Sequence, residues 1–517
     1  MTDTTPDQAP KGETNQTVEY WLDVIARYDR ALGPWETRVK KIWDVYTEKR
    51  GAGSKKRRMS LLWSNIATLQ PAVYSRLPQP SVSRRFKDTD PVGRIASELM
   101  ERALHVTFED ADLDACLCLV RDDFLIGARG TAWVRYDAEF EPIIGPDGQP
   151  IMDADGQPAE RIAEERVPID YVHWRDFGHT PARYWQEVTA VWRKTYLTKT
   201  ELEGRFGPEM AAKVGLDHSR SDGGQFVAEG ARKATVYEIW DKATRKVYFI
   251  AKACREPLEV AEPYLTLRGF WPCPKPAFGT LEDGSLVPVP DYIYYQDQCE
   301  EIDDLTARIG KLTDQLKLVG FYPKGDDSSG SLQIEKALRP GVENVMLAIP
   351  SWAAFTEKGG AAQVQWLPVK EVVAVLQGCI QLRKELKDNL YEVTGISDIM
   401  RGESEASETA KAQGLKAQFG SARVKDRQKV IAQFVRDIAR IAGEIIADRF
   451  QPETLMAMAN MPLPTDADVQ MQMIAQMPPP APMMGHNGGP PMQPPPGPPM
   501  MPPGAPPQGT PMQPGAM

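Results

Sequence analysis

Residues 391–428 read YEVTGISDIMRGESEASETAKAQGLKAQFGSARVKDRQ. A glycine, a hydrophobic pair and a lone arginine, Arg401, form a hinge that opens into a long, polar, alanine-rich helix. Ser404 and Ser407 are its candidate N-caps, and Glu405 and Glu408 stand where the positive end of the helix dipole favours carboxylates. The helix is expected to continue to about Phe450. Its first half is small and polar (Ala410, Ala412, Gly414, Ala417, Gly420, Ala422), whereas its second half carries the apolar stripe Ile431, Phe434, Val435, Ile438, Ile441, Ile445. The hinge holds no nucleophile–base pair, no metal-ligand spacing and no phosphate-cradling glycine run. Small residues over several turns permit close approach by a neighbour, so a helix that is half smooth and half sticky suits an assembly better than a monomer.

Upstream of the hinge the order is helix, small β insert, helix. From Asp291, read as an N-cap, Ile302, Leu305, Ile309, Leu312, Leu316 and Val319 repeat at heptad spacing among charged residues. Gly and Ser clusters then bound short strand-like segments such as NVMLAI and AQVQWL. Helix resumes at Val369 with Val372, Leu376, Cys379, Leu382, Leu386 and Leu390 on one face.

The N-terminal half reads differently. A helical run from Val18 to about Glu48 carries Tyr20, Trp21, Val24, Ile25 and Tyr28, then Trp35, Val39, Ile42, Trp43 and Tyr46. The Gly33–Pro34 step is expected to divide it. A buried helix spans Leu61–Tyr74, PSVSRRF alternates like a strand, and another helical run extends from Asp90 to about Gly127. GTAWVRYDAEFE and RIAEERVPIDYVHWRDFGH read as strands around an insertion with a repeated D-G-Q-P turn, a surface hairpin. A strand and a short helix starting near Thr200 follow, then a hairpin, TVYEIWDKATRKVYFIA, with Lys242–Arg245 in its turn. Residues 90–270 are therefore expected to be α+β with antiparallel pairing.

Composition bounds the function. At 517 residues the chain exceeds the roughly 250–300 at which single cores stop growing. Its 71 acidic and 61 basic residues give a net charge of −10, which argues against a broad basic face gripping nucleic acid but not against a protein that surrounds it with few contacts. The six cysteines form no CxxC pair, which suits a reducing compartment. The opening residues lack a signal-peptide pattern, and no apolar run approaches the roughly 20 residues of a membrane span. GAGSKK fails the phosphate-loop pattern because Ser54 precedes Lys55 and Lys56 follows it. DADG lacks the later ligands of a calcium loop, and His173 with His179 lack a third metal ligand. The Pro-, Gly- and Met-rich segment 477–517 reads as a polyproline-prone, disordered extension.

The order helix, β insert, helix, VTGISDIMRGE, ETAKAQ and long helix resembles the portal proteins of tailed bacteriophages, the head–tail connectors. VHWRDFGHTPARYWQEVTAVWRKTYLTKTEL is similar in texture to the wing strand and helix of portals, and LLWSNIATLQPAVYSRLPQPSV to their N-terminal stretch. The resemblance covers most of residues 20–450 and is most specific over Thr394–Gln413. It implies an α+β, multidomain subunit that assembles into a ring, usually of twelve copies. After a disordered 1–16, the wing would span 17–290, one stem helix 291–319, the clip 320–365, the returning stem helix 366–392 and the tunnel loop 393–406. The long wing helix would span 407–450 and a short crown 451–476.

As the resemblance implies, the ring would sit at a single capsid vertex of the virion after assembly in the host bacterial cytoplasm. It would pass double-stranded DNA during packaging and ejection and dock the terminase large subunit, then a head–tail adaptor or tail protein. Major capsid or scaffold protein would be a further partner, with no membrane, cofactor, metal or catalytic residue. The DNA-channel candidates are Thr394, Ile396, Ile399, Met400 and Arg401 in the loop and Lys311, Lys317 and Lys387 on the stem. Phe321, Tyr322, Lys324, Trp352 and Phe355 are the clip docking candidates. The alternatives are a DNA-packaging enzyme of the terminase ATPase or nuclease kind, for which no convincing phosphate loop or carboxylate cluster is found, and another head structural protein.

Overall fold

Alternating apolar residues between Ala190 and Ala251 build the largest sheet among the described residues. The computed structural model describes residues 11–51, 56–84, 91–145, 149–152, 158–217, 232–316, 319–323, 345–349, 365–366, 369–396, 410–461, 467 and 471. The chain divides into two compact units, Met1–Leu463 and Pro464–Met517, and the described helices and strands fall in the first. The expected caps Ser404 and Ser407, the DADG turn and the 477–517 extension lie outside the described residues.

Four helices come first: α1 (Lys11–Tyr46), α2 (Leu61–Val73), α3 (Pro91–Asp110) and α4 (Leu113–Gly127). The strands β1 (Arg129–Val134), β2 (Asp137–Pro142), β3 (Glu160–Arg166), β4 (Ile169–Val172), β5 (Phe177–His179) and β6 (Ala190–Leu197) follow, then α5 (Lys199–Phe206) and α6 (Pro208–Lys213). Next are β7 (Ala234–Asp241), β8 (Lys246–Ala251), β9 (Glu259–Ala261), β10 (Ala277–Phe278), β11 (Thr280–Leu281) and β12 (Pro288–Val289). The C-terminal part has α7 (Gln296–Gln315), β13 (Val319–Pro323), β14 (Val345–Ile349), β15 (Gln365–Trp366), α8 (Val369–Thr394), α9 (Ala410–Arg449) and α10 (Pro452–Ala459). The fold is thus mixed α+β, and β5-β6-β7-β8-β9 form one antiparallel sheet in that order, within which the β7–β8 hairpin and the antiparallel pairing are as expected. The D-G-Q-P insertion extends the β2–β3 hairpin through bridges Ile144–Pro150 and Met152–Pro158.

Each face of the five-stranded sheet has its own cover. Trp192, Tyr237, Ile239 and Ile250 meet α1, while Val191, Val236, Trp240 and Phe249 face the larger core. The covering residues of α1 are Val18, Trp21, Ile25, Tyr28, Leu32, Trp35 and Val39, spaced alternately by three and four. Tyr20, expected on this face, is instead 61% exposed. The helix also starts earlier than expected and runs unbroken through Pro34. An interior proline costs about 3 kcal/mol. Burial of Leu32 and Trp35 on either side of the step returns about 2–3 kcal/mol each. Trp35 is further pinned, its Nε1 donating to the Gly127 carbonyl at 2.9 Å and the Arg129 guanidinium lying 4.4 Å from its ring.

Local polar competition accounts for three other departures. The 90–127 run splits because Asp112 takes a left-handed conformation and its side chain accepts from the Ala115 N–H. Residues 81–84 form no strand, since the Val82 N–H donates to Glu101 at 2.8 Å. Asp291 does not cap α7. It opens a 3-10 turn, Asp291–Tyr294, α7 starts at Gln296, and Val319 belongs to β13 instead of the helix. By contrast Thr198 and Glu201 form a capping box at the start of α5, close to the expected position.

Two buried polar groups join the layers. Glu238 on β7 accepts from Arg193 Nε at 2.8 Å, Trp240 Nε1 at 3.0 Å and Tyr264 Oη at 3.0 Å. Arg193 also reaches Asp170 on β4 at 3.0 Å, which Arg135 holds at 2.6 Å. Asp123 on α4 is buried and accepts from the Tyr171 hydroxyl at 2.5 Å. Burial pushes its carboxyl up to about 7, against the opposing effects of the Tyr171 hydrogen bond and the Arg129 charge.

The unfolded Asp123 ionises near 3.8, so the folded chain binds more protons between roughly pH 4 and 7. Its contribution to stability is full below that interval and is lost as pH rises through it. Asp123→Asn keeps an acceptor for Tyr171 and removes this loss. Denaturant titrations should show the variant gaining about 1–3 kcal/mol over wild type at pH 8 but little at pH 4. Parallel stability–pH curves would overturn the assignment.

Candidate functional site

The sequence hinge is rooted where α8, α7 and α9 meet. α7 and α8 pack along one another, and β13, which follows α7, pairs antiparallel with β15, which precedes α8. The two helices therefore form an antiparallel hairpin whose distal end is tied by the sheet β14-β13-β15. At the proximal end α8 closes on Gly395, whose φ of +66° is the left-handed conformation of a helix C-terminus. Its N–H donates back to the Tyr391 carbonyl at 2.9 Å. A Cβ built on Gly395 would lie 2.6 Å from Arg423 Nη1, so any side chain there would push the arginine aside, while the positive φ is what favours glycine.

Arg423 and Arg427 are one turn apart on α9. Arg423 Nη1 donates to the Val393 carbonyl at 3.0 Å, satisfying an orphan carbonyl in the last turn of α8. Arg427 pairs with the Asp291 carboxylate in the turn that leads into α7. One helix thus clamps the end of α8 and the beginning of α7. Beneath the clamp is a cavity of about 400 Å³ with an apolar floor of Ile66, Leu69, Leu125 and Ile396, bounded by Tyr294 and Tyr295.

The positions expected to meet DNA are scattered. Thr394 lines this cavity, its hydroxyl donating to the Tyr391 carbonyl at 3.4 Å. Ile396 is 3% exposed and belongs to the core, at the end of α8. Lys311 is exposed on α7. Lys387 is half-buried with its Nζ 5.5 Å from the Tyr391 ring. Phe321 and Tyr322 lie in β13, in parallel register with Leu347 and Ala348. Lys317, Ile399, Met400, Arg401, Lys324, Trp352 and Phe355 lie outside the described residues.

The groups that tempt a catalytic reading are structural in their geometry. His179 is fully enclosed, its Nδ1 donating to the Thr180 carbonyl at 2.9 Å, and burial holds its pKa down at about 4. Burial likewise pushes the Cys116 and Cys299 thiols up to about 12, the opposite of an activated thiolate. All six cysteines are free. Among the described residues no cluster of three His, Cys, Asp or Glu side chains could hold a metal ion, and no helix is long and apolar enough to cross a membrane. No family model and no curated protein matches this chain.

Arg423, Arg427 and Asp291 were not singled out as site residues by their sequence. The only cue is an arginine pair at i, i+4 on the smooth half of α9, a spacing that solvated helix faces share. A double-mutant cycle of Arg427→Ala and Asp291→Ala should return a coupling of about 1 kcal/mol. Gly395→Ala should cost at least about 1–2 kcal/mol from its φ alone. Adding Arg423→Ala should relieve only the steric part of that loss. Zero coupling in the first experiment, or a neutral Gly395→Ala, would contradict the clamp.

Proposed function

We propose that this chain is the subunit of a ring of the phage-portal type, through which double-stranded DNA passes. The observation that carries the reading is the exposure of α8. Only Cys379 and Leu390 of its 26 residues are buried, although the helix is apolar on more than one side. Val375 and Leu382, 47% and 43% exposed, flank one edge of the stripe that meets α7, and Val373 and Ile380, 37% and 44% exposed, flank the other. A single partner would cover one edge. A head-to-tail ring covers both, because each subunit presents two different surfaces to two neighbours.

In this reading α7 and α8 are the stem, the β13–β15 sheet belongs to the clip, and the arginine clamp holds the root of the stem against the long wing helix. The segment from Gly395 to α9 is the tunnel loop. Its work is geometric, which fits a hinge without nucleophile, base or metal ligands. An acidic chain with isolated lysines such as Lys311 neutralises few phosphates, and each phosphate left unpaired weakens static binding. DNA then slides instead of locking. The packaging motor and the tail or adaptor dock on the clip, and capsid or scaffold protein holds the ring at its vertex.

Charge placed on either edge should break the ring. Leu382→Glu and Ile380→Glu would each bury a carboxylate at one interface, weakening assembly on the order of 100-fold without changing the subunit's circular dichroism. In sedimentation velocity the wild type should run as a large species and each variant as single subunits. An equimolar mixture of the two variants retains one intact pair of edges and should stop at dimers. Assemblies unchanged in both variants would sink the proposal, and ATP turnover by the purified wild type would favour a packaging enzyme.

A further inference from the structure

A groove of about 1230 Å³ runs between α3 and the C-terminal half of α9, and its lining includes none of the α8 residues on which the ring reading rests. It exceeds the roughly 300–1,000 Å³ of pockets that enclose small molecules. Its floor is apolar: Met100, Leu104 and Phe108 from α3 and Val435 from α9. The α9 wall is built of small residues on one face, Ala432, Ala439, Gly443 and Ala447. A Cβ on Gly443 would meet only Met100 Sδ, at 3.5 Å, so larger side chains there would grow into open space. The third side is the segment 78–83, where Pro78 and Pro80 fix φ and stiffen the edge.

The charges of the groove run against those of the chain. Its ionisable lining is Arg268, Arg436, Arg440 and Glu444, in a protein of net charge −10. Glu444 is engaged, accepting from the Arg268 backbone N–H at 2.9 Å, and Arg440 lies 3.6 Å from Asp437. Among the described residues the guanidinium groups of Arg268 and Arg436 meet no carboxylate, and both side chains are exposed. Two free arginines at the rim of an apolar trough call for an acidic partner with an apolar face. Nucleic acid fits poorly, because its phosphates want a dense cationic surface and gain nothing from a floor of Met, Leu and Phe.

We propose that this groove docks an acidic amphipathic helix of a partner protein. The helix lays its apolar stripe on Met100, Leu104, Phe108 and Val435, approaches closely over the small-residue wall, and sets its carboxylates against Arg268, Arg436 and Arg440. The proposal does not depend on ring formation, since the groove is complete within one subunit.

The test uses the full chain and a fluorescein-labelled synthetic helix of about 18 residues, with Leu at i, i+3, i+4 and i+7 and Glu on the flanking positions. A Lys-for-Glu version and a short DNA duplex serve as comparison probes. Fluorescence anisotropy should show saturable, salt-sensitive binding of the Glu peptide and none of the Lys peptide. Arg436→Glu should weaken it about tenfold or more. Gly443→Leu and Ala447→Leu, which fill the trough from two places, should each abolish it while leaving thermal unfolding unchanged. Equal binding of both peptides, or undiminished binding to Arg436→Glu and both leucine variants, would overturn the proposal. So would displacement of the Glu peptide by duplex DNA, which would make the groove a nucleic-acid site. Self-association abolished by Gly443→Leu would instead assign it to a second copy of the chain.

Discussion

The burial of Ile431, Phe434, Val435, Ile438, Ile441 and Ile445 fixes α9 in the core, and through it the aim of the α7–α8 hairpin. A helix rises 1.5 Å per residue and bends little, so anchoring its C-terminal half places Arg423, about 12 Å back from Ile431, with little freedom. Arg423 and Arg427 then reach the end of α8 and the turn before α7. The hairpin itself has few buried residues beyond this root, and α8 could not hold its direction by its own packing. In the proposed ring, neighbouring copies cover a lever that is firmly held at one end and under-buried along its length.

The body that carries the lever is held by buried polar groups placed between layers. Among the described residues Arg129 forms no ion pair; its Nη atoms donate to Tyr28 Oη and the Trp174 carbonyl, both at 2.6 Å, and its guanidinium lies over the face of Trp35, while its buried Nε finds no hydrogen-bond acceptor. These contacts pin α1 to the strands. Arg193, Glu238 and Asp170 join the five-stranded sheet to β4 of the three-stranded sheet β10-β1-β4 in the same manner. Such groups cost desolvation, and their partners are directional, so they select one docking geometry where apolar contacts alone would accept several.

Much of this could be read from the sequence where packing and local pattern agree. The strands β6 to β8, the D-G-Q-P hairpin, the α9 stripe and the helix–sheet–helix order all follow from periodicity and turn chemistry, because each is stabilised by its own neighbours. The misreadings come from tertiary competition. Pro34 stays in a helix because residues far along the chain bury Leu32 and Trp35. Residues 81–84 lose their strand to a Glu101 side chain, and Asp291 gives up capping to pair with Arg427. Of the site, Gly395 and the two helices were legible. The clamp was not, since an arginine pair on a polar helix face carries no mark of its partners. The burial of Ile396 was not legible either, since a hydrophobic residue in a loop can face a pore or plug a core, and only its surroundings decide.

The reading as a whole turns on whether the two apolar edges of α8 meet other copies of the chain around a hole. Electron microscopy of the purified full-length protein tests this most directly. The account predicts closed rings with a central channel lined by paired helices, with α8 of each subunit packed between two neighbours. Particles of single-subunit mass at every concentration, or closed dimers with no channel, would contradict it.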